Sequence, residues 1–214
     1  MAITYPREFP DCVFTGDCPF RLVRNQARSL TGAVSPDAIE LAPPFWVGEW
    51  STDAKTRAQF AAWEAWLLSL RGGIRLFKGR PNRHKWPLAH PRGFAGMTYE
   101  GDPFSGIGNL KEIAAGRDVI TIDELPDGLT LSAGDWLSIP VGSRQHIHRI
   151  LEGGTSASNE VAVTVEPVIM PGVVADIAVR LEAPYCDMTL AEDLTTPRPT
   201  GGGSVSFKGQ QALI

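Results

Sequence analysis

The chain has 214 residues, 43% of them apolar and 21% charged, with a net charge of −4. That length holds one large domain or two small ones, and the composition excludes wholesale disorder. Basic and acidic residues are interspersed, which excludes the concentrated basic face that nucleic-acid binding needs.

The 22 glycines and 17 prolines follow no period. They favour short strands joined by many turns over helical bundles. No run of about 18 apolar residues exists, so no membrane insertion is expected. The start, Met1-Ala2-Ile3-Thr4-Tyr5-Pro6-Arg7-Glu8, lacks the basic and apolar blocks of a signal peptide. Synthesis and assembly in a reducing cytoplasm follow as the expectation. Cys12, Cys18 and Cys186 are an odd number without a CxxC pair. A Cys12–Cys18 disulfide is geometrically possible, but that compartment favours three ordinary thiols.

Along the chain, residues 3–25 suggest a short edge strand around Val13-Phe14 and a second strand from Phe20 to Asn25. Residues 26–36 read as a loop. Ala38-Ile39-Glu40-Leu41 reads as a short strand entering Pro43-Pro44. Phe45 to Ser51 is a strong strand, with Phe45, Val47 and Glu49 on one face and Trp46, Gly48 and Trp50 on the other.

Residues 53–71 predict one amphipathic helix. Phe60, Trp63, Trp66, Leu67 and Leu70 fall within roughly a 120° arc at helical spacing. Thr52 or Asp53 is the expected N-cap, and Gly72-Gly73 the stop. Ile74, Leu76 and Phe77 restart the chain as a strand. Gly79 to Phe94 holds four Lys/Arg, two His and three Pro, an exposed excursion suited to an interface.

From about residue 97 the texture changes to short alternating strands. They lie near 119–122, 129–131, 136–139, 146–150, 161–165 and 177–181, with Gly- and Pro-containing turns between them. A small closed barrel of OB or SH3 type is the natural solution, because closure removes exposed edges. Residues 184–203 have the composition of a linker. Ser204 to Gln210 alternates like a strand and needs a sheet to join. The fold class is therefore mainly β (α+β). A β-sandwich-like domain with one helix, residues 1–96 and 184–214, is completed by the C-terminal strand, and a small β-barrel, residues 97–183, is inserted between.

The residues form no recognisable catalytic motif, so no catalytic, cofactor-binding or metal residue is assigned, no cofactor is expected and the chain reads as no enzyme. His146-x-His148 places two imidazoles on one strand face, but no third metal ligand is evident and Asp135 belongs to another element. His84 and His90 lack ligand spacing and read as solvent-facing loop residues. No Gly-x-Ser-x-Gly elbow occurs. Gly101 to Gly108 lacks the Lys-Ser/Thr of a phosphate-binding loop, and Gly201-Gly202-Gly203 reads as linker. Asp123-Glu124 and Glu192-Asp193 are adjacent pairs, facing opposite ways on a strand, and read as solvated turns. Of six tryptophans, Trp46, Trp50, Trp63 and Trp66 gather around the helix, more aromatic surface than a small domain needs. They read as core or subunit interface, and in a ring-forming protein some of that surface, Trp46 and Trp66 in particular, is expected between subunits. Trp86 or Trp136 could serve as a carbohydrate platform.

Several stretches resemble tail proteins of long-tailed bacteriophages and gene transfer agents. They are Ile3-Thr4-Tyr5-Pro6-Arg7-Glu8-Phe9-Pro10, the helix from Phe60 to Gly73, Pro91-Arg92-Gly93-Phe94-Ala95-Gly96, Leu131-Ser132-Ala133-Gly134-Asp135, Val165-Glu166-Pro167 and Met188-Thr189-Leu190. Within that class the arrangement is similar to the distal tail protein family. The resemblance implies a structural virion protein whose helix-bearing domain forms a belt, usually a hexameric ring. Such a ring would join the tail tube protein to the hub and baseplate proteins at the tail tip. The alternative reading is a carbohydrate- or receptor-binding β-barrel module without catalysis, using the barrel's loops or exposed tryptophans, with a host surface glycan as partner. The family's larger carbohydrate modules have no counterpart here, since the inserted barrel is small.

Overall fold

The computed structural model describes residues 3–11, 14–15, 18–29, 37–54, 56–82, 84–191 and 203–213. Cys12, the Glu192-Asp193 pair and Gly201-Gly202 lie outside them. In chain order the elements are β1 (Phe20–Ser29), β2 (Asp37–Ala54), α1 (Arg57–Ser69), β3 (Phe77–Gly79), β4 (Thr98–Tyr99), β5 (Asp102–Pro103), β6 (Ile107–Ile113) and β7 (Val119–Asp123). There follow β8 (Thr130–Leu131), β9 (Trp136–Val141), β10 (Arg144–Glu152), β11 (Gly154–Thr155), β12 (Val161–Glu166), β13 (Ala178–Arg180), β14 (Cys186–Leu190) and β15 (Gly203–Gln211). Strand makes up 48% and helix 7%, so the chain is mainly β.

Two assemblies dominate. One is a five-stranded sheet in the order β1-β2-β15-β14-β3, and the other is a closed barrel, β10-β12-β7-β6-β13-β9. The C-terminal strand does join the N-terminal sheet, and it lies in the middle of it. Its partner β14 occupies residues that read as linker. Cys186 and Met188 are fully buried there, and β14 pairs on both sides, with β15 and β3. Five residues are too few to show a period, and tertiary pairing alone makes them a strand.

β2 alternates as its sequence dictates. Trp46, Gly48, Trp50 and Thr52 are buried, while Phe45, Val47, Glu49 and Ser51 are half-exposed. It is one 18-residue strand rather than two short ones. Pro43 and Pro44, which cannot donate to a ladder, fall where the pairing with β1 shifts register, so the strand passes through them. β1 likewise runs on to Ser29. The helix starts later than its hydrophobic stripe suggests, because β2 continues through Thr52 and Asp53. Thr56 caps it: its hydroxyl accepts from Gln59 N at 3.2 Å, and Gln59 returns a bond from Thr56 N at 3.1 Å. The chain turns left-handed at Arg71, one residue before the glycines. Gly73 remains obligatory, since a Cβ there would meet Leu190 O at 2.8 Å.

The helix lays Trp63 and Trp66 on the buried face of the sheet. Phe207 of β15 is the centre, with ring centroids 5.4–6.1 Å from Trp50, Trp63, Trp66, Phe77 and Phe9. The tryptophans are therefore core and not intersubunit surface: Trp46 and Trp66 are 4% and 1% exposed. Three indoles donate to carbonyls, Trp46 to Ile147 O, Trp50 to Arg80 O and Trp66 to Glu8 O. Gly48 and Gly209 sit opposite each other in β2 and β15. A Cβ on Gly48 would stand 2.2 Å from the Trp50 ring, and one on Gly209 2.5 Å from Phe77. We expect Gly209→Ala to cost about 1–3 kcal/mol by overpacking, read from chemical denaturation. An unchanged midpoint would mean that the rings do not lie on the sheet.

The barrel closes with six strands. The strand missed from sequence is β6, whose alternation is broken by Gly108 and by a register shift between Leu110 and Glu112. Val161, Val163 and Val165 of β12 point inward, with Ala162 and Thr164 outward. The barrel does not bury its strands alone, however. Trp136 of β9 and Ile147 of β10 face out of it into the sheet's core, where Trp136 meets Trp46 at 4.8 Å and Phe20 at 5.5 Å. The helix and the barrel wall thus cover the same face of one sheet, side by side.

Candidate functional site

Among the described residues, three surface features stand out once the cores are filled. The first is the outer part of the β1–β2 ribbon. Residues 47–54 of β2 pair with both β1 and β15 or with β15, but among the described residues 37–42 pair only with β1. Ala38 to Pro43 are exposed on both faces. This arm carries Ile39 and Leu41 on one side, 65% and 63% exposed. An isolated two-stranded ribbon is marginal in water, and an apolar pair on its face gains nothing there. At the opposite edge of the sheet lies β3, flanked by the N-terminal segment through the Arg7–Phe77 bridge. Here Leu68 and Ile74 are 76% and 77% exposed, and Ile3 is more than half exposed. Tyr5 ties this segment to the helix end by donating to Ser69 O at 2.8 Å.

The second feature is a cleft of about 650 Å³ in the basic excursion, lined by Arg80, His84, Lys85 and Trp86 among prolines. Lys85 covers one face of Trp86 at 4.4 Å and pairs with Glu182 at 3.6 Å. Trp136, the other suggested platform, is 6% exposed and packs inside. His84 is half-buried here, its pKa lowered by burial and then by Arg149. His90 does not face solvent as a free loop residue. Its Nε2 accepts from Thr130 N at 3.0 Å, which fastens the excursion to β8.

The third feature gathers the His146-x-His148 pair. It is a cleft of about 320 Å³ between the base of the arm (Glu40 to Pro44), the β12–β13 connection (Pro167 to Pro171) and Gln211 and Leu213. Both imidazoles are buried. His146 Nε2 lies 3.1 Å from Leu213 O, and His148 Nδ1 2.6 Å from Pro167 O. A carbonyl only accepts, so each of those nitrogens carries the proton. His148 Nε2 is left as a buried acceptor without a partner. Burial lowers both pKa values, that of His148 to about 4. Among the described residues no three His, Cys, Asp or Glu side chains could hold a metal ion.

Folded His148 refuses a proton that the unfolded chain accepts near pH 6.5. Its contribution to stability is therefore full above that pH and falls as pH drops toward 4, by about 3 kcal/mol in all. His146 acts in the same direction. Urea midpoints between pH 7 and 4.5 should fall steeply in the parent chain and less so in His148→Gln; equal slopes would contradict this assignment.

Asp135 is not a ligand. Its carboxylate accepts from Leu88 N at 2.7 Å and Ser132 N at 2.6 Å and so closes the turn into β9. Asp123 accepts from Asn109 Nδ2 at 3.0 Å. Cys18 and Cys186 are buried free thiols. The arm was legible only in part from sequence, since alternation shows a strand but not that its second neighbour is missing. No known family model matches the chain, and no curated protein matches it.

Proposed function

We propose that this chain is a structural subunit that assembles head to tail into a ring, the belt of a long-tailed phage or gene-transfer-agent tail tip. The observation that carries the reading is the arm, which exposes Ile39 and Leu41 at one edge of the sheet while Ile3, Leu68 and Ile74 lie exposed at the other. Two different patches on opposite edges make a heterologous contact, and repeated heterologous contacts close into rings when the rotation allows. The sequence resemblance to the distal tail protein family supports the tail-tip setting and six copies. It also supports the tail tube and hub proteins as neighbours, while the five-stranded sheet under one helix supports a sandwich-like belt and the closed barrel supports an OB- or SH3-like module. In this reading the barrel is an outward module on the ring and the assembly does no catalysis.

The contact is tested by cross-linking. Ile39→Cys combined with Ile74→Cys, treated with a short bis-maleimide, should give a ladder of covalent oligomers. Each single variant should give almost none. A strong dimer from Ile39→Cys alone would mean that arm meets arm, and the head-to-tail ring would be wrong.

A further inference from the structure

The histidine cleft is shaped for something other than assembly. Its walls are apolar, built from Leu41, Pro43, Pro44, Val168, Met170 and Leu213. Its one charged lining residue is Glu40, which Arg24 engages at 3.4 Å. No cation lines it, so a carboxylate or phosphate would be desolvated without compensation. Each imidazole spends its proton on a main-chain carbonyl, which leaves the pair as acceptors only. Burial keeps both neutral at pH 7. His148 Nε2 is buried and unpartnered, a group that structures normally satisfy. An apolar pocket with a few convergent polar groups is the usual form of a small-molecule site, and this volume falls in the customary range.

We propose that this cleft binds a small, uncharged, mainly apolar molecule that donates a hydrogen bond through a hydroxyl group, of the phenol or alcohol type, to His148 Nε2. The apolar body lies against the proline and Met170 walls, and the hydroxyl proton meets His148 Nε2, a buried acceptor without a hydrogen-bond partner of its own. The cleft lies within one protomer and shares only Leu41 with the proposed arm contact.

The test uses the full chain at pH 7 with three probes of one shape: 4-propylphenol, 4-propylanisole and 4-propylbenzoate. Calorimetry and nitrogen-15 spectra of labelled histidine are recorded together. The phenol should bind saturably and move the His148 Nε2 resonance. It should bind about tenfold more tightly than the ether, which lacks the donor, or the carboxylate, which brings a charge. Met170→Trp, which fills the cleft from its wall, should abolish binding, and Ile39→Asp, altered only on the arm, should retain it. Equal affinity for phenol and ether, an unmoved His148 resonance at saturation, or no saturation up to probe solubility would overturn the proposal. So would loss of binding in Ile39→Asp. If Met170→Trp fails to fold, the three-probe comparison on the parent chain decides alone.

Discussion

Phe207→Ala should destabilise the protein by about 3–5 kcal/mol. Phe207 is 1% exposed and touches an aromatic ring on every side, from the helix, from β2, from β3 and from the N-terminal segment. Truncation removes the transfer free energy of the ring and leaves a cavity between large, rigid neighbours that cannot close it. In a chain of this size that corresponds to a fall in Tm of roughly 6–20 °C. Leu68→Ala, on the same helix but 76% exposed, should change Tm hardly at all in a dilute sample. If both variants melt alike, the six-ring cluster around Phe207 is not the stabilising centre of the sheet.

The second expectation concerns assembly. Ile39→Asp with Leu41→Asp should leave the fold intact and disperse the oligomer. Both side chains are more than 60% exposed in the protomer, so their loss removes little from its core. Burying two such side chains between copies is worth about 3–6 kcal/mol per contact before ordering costs, and placing carboxylates there adds a desolvation penalty. Each 1.4 kcal/mol is tenfold, so the association constant should fall by more than about a hundredfold. Light scattering during gel filtration reports mass, and the thermal melt of the same fractions reports folding. A variant that stays assembled places the interface elsewhere. One that unfolds makes the arm part of the core.

Much of this architecture was legible in the residues. The Trp46/Gly48/Trp50 alternation, the Phe60-to-Leu70 stripe and the late strand at 204–210 each carry a period that physics can read. What escaped was non-local. β14 is a strand because Met188 and Cys186 meet Phe77 and the aromatic cluster, and nothing within five residues announces that. β6 hides behind Gly108 and its bulge. The helix cap moved from Thr52 to Thr56 because β15 pairs with β2 as far as Ala54, a partner 149 positions downstream. Of the two readings of the tryptophan surplus, core and subunit interface, burial selects the core, and the barrel's contribution to it, Trp136 and Ile147, does not show in its own alternation. The histidine pair was seen on one strand face. Its setting was not, because the cleft walls come from residues 40–44, 167–171 and 211–213.

The most direct test of the account is the mass of the purified full chain in solution across a concentration series. Sedimentation velocity, followed by negative-stain images of the peak species, should show a closed ring that the Ile39/Leu41 double variant no longer forms. A strict monomer at high concentration, or a dimer that never grows further, would contradict a head-to-tail ring built on the β1–β2 arm.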